Sequence, residues 1–127
     1  MDILRKQIRE IIKENFDSNI SKEVENLMSV LEQKYDVKLF IYYNKFANTI
    51  ILSQIIVEKK DRNKGIGTKV MNEICDFADK NNLRIALTPS GDFGGSKSRL
   101  ISFYKNFGFK NYKGYEFRES MVREPEK

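Results

Sequence analysis

Two glycines one residue apart, Gly65 and Gly67, follow a charged run in "VEKKDRNKGIGTKVMNEI", residues 57 to 74. A loop that ends a strand and opens a helix presents free backbone N–H groups at the positive end of the helix dipole, which favours phosphate. Glycine lets the backbone approach a ligand closely, and Arg62 and Lys64 add positive charge. The stretch predicts a phosphate-binding loop, with a surface turn that needs flexibility as the alternative.

Three kinds of phosphate loop can be compared with this stretch. A P-loop requires a glycine, four residues and then Gly-Lys-Ser/Thr, a spacing that "GIGTK" does not supply. A dinucleotide fingerprint requires a third glycine where this chain has Val70. The third pattern, Arg/Gln-x-x-Gly-x-Gly/Ala after an apolar strand, is matched at Arg62, Gly65 and Gly67.

A second segment, "FYKNFGF", lies one predicted helix and one predicted strand further along the chain. It matches the pattern Tyr-x-x-x-Gly-Phe at Tyr104, Gly108 and Phe109. With both motifs in this order, residues 50 to 109 resemble the GCN5-related N-acetyltransferase (GNAT) superfamily.

The resemblance implies that acetyl-CoA binds between two strands that splay apart. Its pantetheine would pair with the backbone of Ile55, Ile56 and Val57. Its pyrophosphate would lie on the loop and the first helical turn, which comprise Arg62, Asn63, Lys64, Gly65, Ile66, Gly67 and Thr68. The implied activity is acetyl transfer to a primary amine of a protein (lysine or N-terminus) or of a small molecule.

The resemblance also gives Tyr104 the role of general acid toward the departing thiolate. A phenol with a pKa of about 10 is protonated at neutral pH, which suits that role. The structural alternative is that Tyr104 is one more core aromatic beside Phe103 and Phe107. Family members often carry a glutamate base on the strand before the loop, but "TIILSQIIV" has no carboxylate and Glu58 lies just past it. We therefore assign no base and expect a water chain, with a non-catalytic acyl-CoA-binding or partner-binding protein as the alternative function.

Composition limits the remaining function classes. The 127 residues include one cysteine and no histidine, which rules out Ser-His-Asp and Cys-His nucleophile systems and predicts no metal site. No apolar run is long enough to cross a bilayer and the N-terminus lacks a signal-peptide pattern, so we expect a cytoplasmic protein and no membrane partner. The net charge of +5 falls in the half containing the glycine loop, but no nucleic-acid-binding motif accompanies it.

The apolar periodicity predicts the elements that must position these residues. Residues 2 to 16 and 21 to 31 indicate two helices with buried faces, separated by a polar break at residues 17 to 19. An antiparallel strand pair, a helix over 65 to 80, a strand over 83 to 88, a helix ended by Gly108 and one or two terminal strands follow. The order ααββαβαββ predicts a single-domain α/β (α+β) fold over residues 1 to 127, with a helical part (1 to 35) and a sheet part (37 to 123).

The first element of the chain and its single cysteine give two further expectations. The family usually opens with a strand before its helices, whereas this chain begins in a helix. A missing first strand exposes a sheet edge that a second copy could cover, so we expect a homodimer. Cys75, on the apolar face of the third predicted helix, is expected to be an inert core residue.

Overall fold

The computed structural model describes residues 2–58, 64–89 and 97–126. Its helices and strands, in chain order, are α1 (Asp2–Tyr35), β1 (Val37–Asn44), β2 (Thr49–Val57), α2 (Ile66–Lys80), β3 (Arg84–Leu87), α3 (Lys97–Lys105), β4 (Lys110–Asn111) and β5 (Met121–Arg123). The predicted mixed α/β class is confirmed: a mixed five-stranded sheet is flanked by helices.

The N-terminal region departs from the predicted pair of helices, because α1 runs without a break through residues 17 to 19. Asp, Ser and Asn each cost at most about 0.7 kcal/mol in a helix, too little to end one that packs well on a core. Its second half packs, with Ile20, Val24 and Leu31 buried. The predicted buried face of the first half is also wrong, since the apolar side chains from Leu4 to Phe16 that the structure describes are exposed.

The sheet has the strand order β1-β2-β3-β5-β4. β1 and β2 form the predicted antiparallel hairpin, whose turn uses a left-handed Asn48 (φ 50°). β2 pairs with β3 in parallel, as a strand–helix–strand crossover through α2 requires. Antiparallel β5 and β4 complete the sheet and leave β1 at its opposite edge.

The core lies on the face of the sheet that packs against the helices. Its largest buried side chains alternate with residues of the other face along the strands and form one side of the helices: Leu31, Leu39, Ile50, Met71, Ile74, Leu83, Ile85, Leu87 and Met121. Cys75 belongs to this cluster, and burial raises the pKa of its thiol to about 11. Cys75 is therefore a protonated core side chain at neutral pH.

The second face is covered by the segment that connects β4 with β5. Phe117 packs on Ile51, Ala86 and Val122, and its ring stacks on Tyr112 with 4.1 Å between centroids. This segment covers the centre of the sheet, whereas Phe40 and Tyr42 on the edge strand β1 stay half exposed.

A buried guanidinium joins three parts of the fold. Arg123 on β5 donates to both carboxylate oxygens of Asp79 on α2, over 2.8 and 3.1 Å. Its Nε donates to the carbonyl oxygen of Phe107, just past α3, over 2.7 Å. Because the side chain of Arg123 is only 5 % exposed, these acceptors replace nearly all of its water. The ion pair therefore fixes the end of α3 relative to α2 and β5.

Replacing Asp79 with asparagine should lower the free energy of unfolding by about 2 kcal/mol, because a buried charge loses its counter-charge. The Arg123 hydrogen bonds hold the pKa of Asp79 below its usual range. The stabilisation is therefore complete above the unfolded-state pKa of about 3.9 and is lost as the pH falls through the lower folded-state pKa. Urea unfolding of the parent and Asp79→Asn between pH 7 and pH 2 measures both effects.

A matched control is Glu116→Gln, which removes the carboxylate partner of Arg84 at the surface, where Glu116 is 56 % exposed. Exposed pairs contribute little, so this change should cost less than about 1 kcal/mol. Equal losses in the two variants would contradict the assigned role of the Arg123 pair.

Candidate functional site

The start of α2 has backbone N–H donors that no described residue binds. Gly65 is the N-cap residue in the left-handed region (φ 74°), and its carbonyl accepts the Lys69 N–H over 3.1 Å. No described side chain caps this end, and the first turn has no acidic residue. The N–H groups of the first turn have no acceptor within their own helix, so this end of α2 is suited to an anion.

The two glycines differ in what surrounds them. A Cβ built on Gly65 would meet nothing within 4 Å, so this position opens onto free space. A Cβ on Gly67 would lie 3.7 Å from Cζ of Phe103, which means that the first turn of α2 lies against α3. A shallow groove of about 420 Å³ continues along this side of α3, lined by Ser98, Arg99, Ser102, Phe103 and Asn106.

The strand that leads to the loop is bulged and only partly paired. Phe40 is opposite Gln54 and Ile41 is opposite Leu52, which leaves Ser53 as an extra residue in β2. Pairing with β3 ends at Leu52 opposite Leu87. Within the described ranges, no strand therefore adjoins residues 53 to 56 on the side away from β1. Alternate backbone groups of this segment point toward that side and are suited to bind an extended ligand.

Tyr104 on α3 packs within a cluster of aromatic side chains. Its ring makes edge contacts with Phe103 and Phe109 at centroid distances of 5.3 and 5.7 Å. The left-handed Gly108 turns the chain, and the N–H groups of Phe107 and Phe109 both donate to the Tyr104 carbonyl. This turn is the one that Arg123 anchors, so the "FYKNFGF" motif fixes the position of the tyrosine.

The hydroxyl of Tyr104 keeps its proton. Burial raises the pKa of this phenol above its ordinary value. The structure gives its oxygen no hydrogen bond to a described residue, and no fully buried side-chain oxygen or nitrogen in the described ranges lacks a partner. The ring lies in the core, and the hydroxyl is not engaged by a described residue, so it can donate to a bound molecule.

The structure brings some of the predicted site residues together. Ile55, Val57 and Ile66 pack against the same core cluster that contains Tyr104. Ile56 points to the opposite face, as alternation along a strand requires. The remaining predicted residues are exposed at the start of α2 (Lys64, Gly65 and Thr68), lie against α3 (Gly67), or fall outside the described residues (Arg62 and Asn63).

The sequence patterns do not predict two features of the site. The bulge at Ser53 is marked only by two polar residues, "SQ", inside an apolar strand. The ion pair of Arg123 has no local signal, because its partner Asp79 lies 44 residues earlier. For the base, the structure adds no new candidate on β2: Glu58 lies beyond the strand and is exposed.

No three His, Cys, Asp or Glu side chains in the described ranges group closely enough to bind a metal ion. None of the described helices combines the length and apolar character that crossing a membrane requires.

Comparison with protein families agrees with this geometry. A family model described as an acetyltransferase (GNAT) domain matches residues 27–111, two thirds of the chain. The match includes the glycine loop, β2, α2 and the helix that carries Tyr104, but not the first 26 residues. No curated protein matches the chain.

Alanine substitutions at Gly65 and at Gly67 should have different effects on the free energy of unfolding of the ligand-free protein. Gly65→Ala should lower the free energy of unfolding by about 1 kcal/mol, because a side chain is strained at φ 74°, and Gly65→Asn should lower it less. Gly67→Ala makes only an ordinary van der Waals contact and should leave stability unchanged or raise it by up to about 1 kcal/mol. Urea unfolding decides, and destabilisation by Gly67→Ala equal to that by Gly65→Ala would contradict this description of the helix start.

Proposed function

The chain belongs to the GNAT acetyltransferase family, and we propose that it transfers an acetyl group from acetyl-CoA to a primary amine of a protein or small molecule. One observation carries the proposal: the uncapped start of α2 lies against α3, the helix of Tyr104, and beside β2. The far side of β2 adjoins no other described strand at residues 53 to 56. This combination provides backbone donors for phosphate, a strand side that adjoins no described strand at residues 53 to 56, and a protonated phenol.

Backbone groups are the main binding elements for acetyl-CoA in this proposal. The N–H groups at Gly65, Ile66, Gly67 and Thr68 would hold the pyrophosphate, because they have no capping side chain and no acidic neighbour in the turn. Arg62, Asn63 and Lys64 would complete the loop. Ile55, Ile56 and Val57 would pair with the pantetheine through alternate backbone groups of β2.

Acetyl-CoA supplies a thioester, whose acetyl carbon is transferred and whose thiolate must be protonated. The Tyr104 hydroxyl is the proposed proton donor, since the phenol carries its proton at neutral pH and its oxygen makes no competing hydrogen bond to a described residue. The backbone N–H groups of the bulged segment are the proposed donors to the developing oxyanion.

The acceptor amine must lose a proton before it attacks. An ammonium with a pKa of about 10.4 needs a base or an ordered water path, and β2 contains only Ser53 and Gln54 as polar residues beyond Thr49. Neither side chain can act as a carboxylate base. We therefore propose that water carries this proton to solvent, with Glu58 as the nearest carboxylate along the chain.

The second candidate function is a binding protein that keeps the acyl-CoA site without catalysis. The observation that favours it is the lack of a carboxylate on β2. A cytoplasmic location is part of both candidates, because acyl-CoA is held inside cells.

Acetyl-CoA should raise the thermal unfolding midpoint, because a ligand that binds only the folded state stabilises it by about 2.7 kcal/mol at a hundredfold excess over Kd. Gly67→Ala should show a smaller rise from its own midpoint, since a methyl group would crowd the N–H groups of the loop. Sodium sulfate at matched ionic strength is the control. No rise at millimolar acetyl-CoA would refute both candidate functions.

Tyr104→Phe should lower kcat for thiol release with an accepted amine by about 100-fold, because it removes the proton donor. The rise in midpoint with acetyl-CoA should be retained. Tyr115→Phe, which changes a fully exposed tyrosine, is the matched control and should keep its activity within about twofold. Unchanged turnover in Tyr104→Phe would remove the tyrosine from its role, and stabilisation without thiol release in the parent would favour the binding protein.

A further inference from the structure

The first half of α1 carries an apolar surface that the fold does not use. Five apolar side chains there are 44 to 62 % exposed: Leu4, Ile8, Ile11, Ile12 and Phe16. At 3.6 residues per turn they lie on one side of the helix, within a sector of roughly 140°. We call these five residues the α1 stripe.

The α1 stripe continues a ridge whose other part is buried. Positions 4, 8, 12, 16, 20 and 24 follow one another at steps of four, each with an apolar side chain. Ile20 and Val24 lie in the core, whereas Leu4 to Phe16 extend beyond it on a helix that spans about 50 Å in total. A half-helix of this length gains little stability by itself, so its helical state needs a packed partner. The family match begins at residue 27, after this surface.

From this ridge we infer that the α1 stripe is a dimer interface, and that its occupant is the α1 stripe of a second copy of this chain. Rows of side chains spaced by four interdigitate with the same rows of another helix, which is the commonest mode of helix packing. With about 100 Å² exposed by each side chain, two stripes would remove about 1,000 Å² from water, the lower limit for a specific interface.

The charges beside the stripe favour a protein partner over a lipid surface. Residues 2 to 16 contain four basic residues (Arg5, Lys6, Arg9 and Lys13) and three acidic ones (Asp2, Glu10 and Glu14). Their net charge of +1 gives little attraction to anionic lipid, whereas mixed signs are compatible with pairing between identical helices. The α1 stripe is therefore suited to the same stripe of a second copy of this chain.

Light scattering coupled to size exclusion tests this interface at micromolar protein. The parent should have the mass of two chains, and Ile8→Glu/Ile12→Glu should have the mass of one. Ile8→Ala/Ile12→Ala, which adds no charge and keeps the helix propensity high, should shift the equilibrium toward the monomer. As folded monomers the two variants should unfold within a few degrees of each other, because both positions are exposed.

Val30→Glu is the matched control on the same helix. Val30 is 53 % exposed, a value similar to those of the stripe, but polar Asn26 and Lys34 flank it along its own ridge. This variant should remain dimeric. A monomeric parent, whether or not it binds anionic vesicles, would overturn the proposal. The proposal would also be overturned if both Ile8/Ile12 double variants remained dimeric. It would be overturned as well if Val30→Glu dissociated as much as Ile8→Glu/Ile12→Glu.

Discussion

The fold depends on one buried charge, the guanidinium of Arg123. It connects β5, α2 and the turn after α3. An isolated charge at this depth would be costly, so Asp79 and the Phe107 carbonyl must both be in place when the core closes. The position of Tyr104 follows, because the turn that Arg123 holds is the same turn whose N–H groups bond to the Tyr104 carbonyl.

The candidate site results from interruptions of regular structure. β2 has an extra residue at Ser53, and its pairing with β3 ends at Leu52. β3 itself ends shortly before Pro89, which has no N–H to extend the ladder. α2 begins at a glycine without a side-chain cap. Within the described ranges, these interruptions leave one side of residues 53 to 56 without a neighbouring strand and the start of α2 without a side-chain cap, and the start of α2 lies against Phe103 of α3. Backbone groups can thus form most of a site in a chain that has no histidine.

Local sequence patterns predicted much of this arrangement. The β-branched and aromatic runs predicted both strands of the hairpin, Gly65 marked the start of α2, and Gly108 marked the end of the helix that carries Tyr104. The break in α1 was wrong because three weak helix formers cannot outweigh the packing of residues 20 to 35, which depends on the rest of the fold. The bulge and the Arg123 pair could not be found, since they arise from strand register and from partners 44 residues apart. The roles of the cofactor-binding residues and of Tyr104 stay predictions.

The burial of Cys75 has a practical chemical consequence. It is the chain's only sulfhydryl, and with a pKa of about 11 inside the core it has almost no thiolate at neutral pH. A disulfide reagent added to the native protein would thus react with free coenzyme A and leave the protein unmodified. Labelling of Cys75 would instead count molecules that have opened their core, so one reagent separates product formation from unfolding.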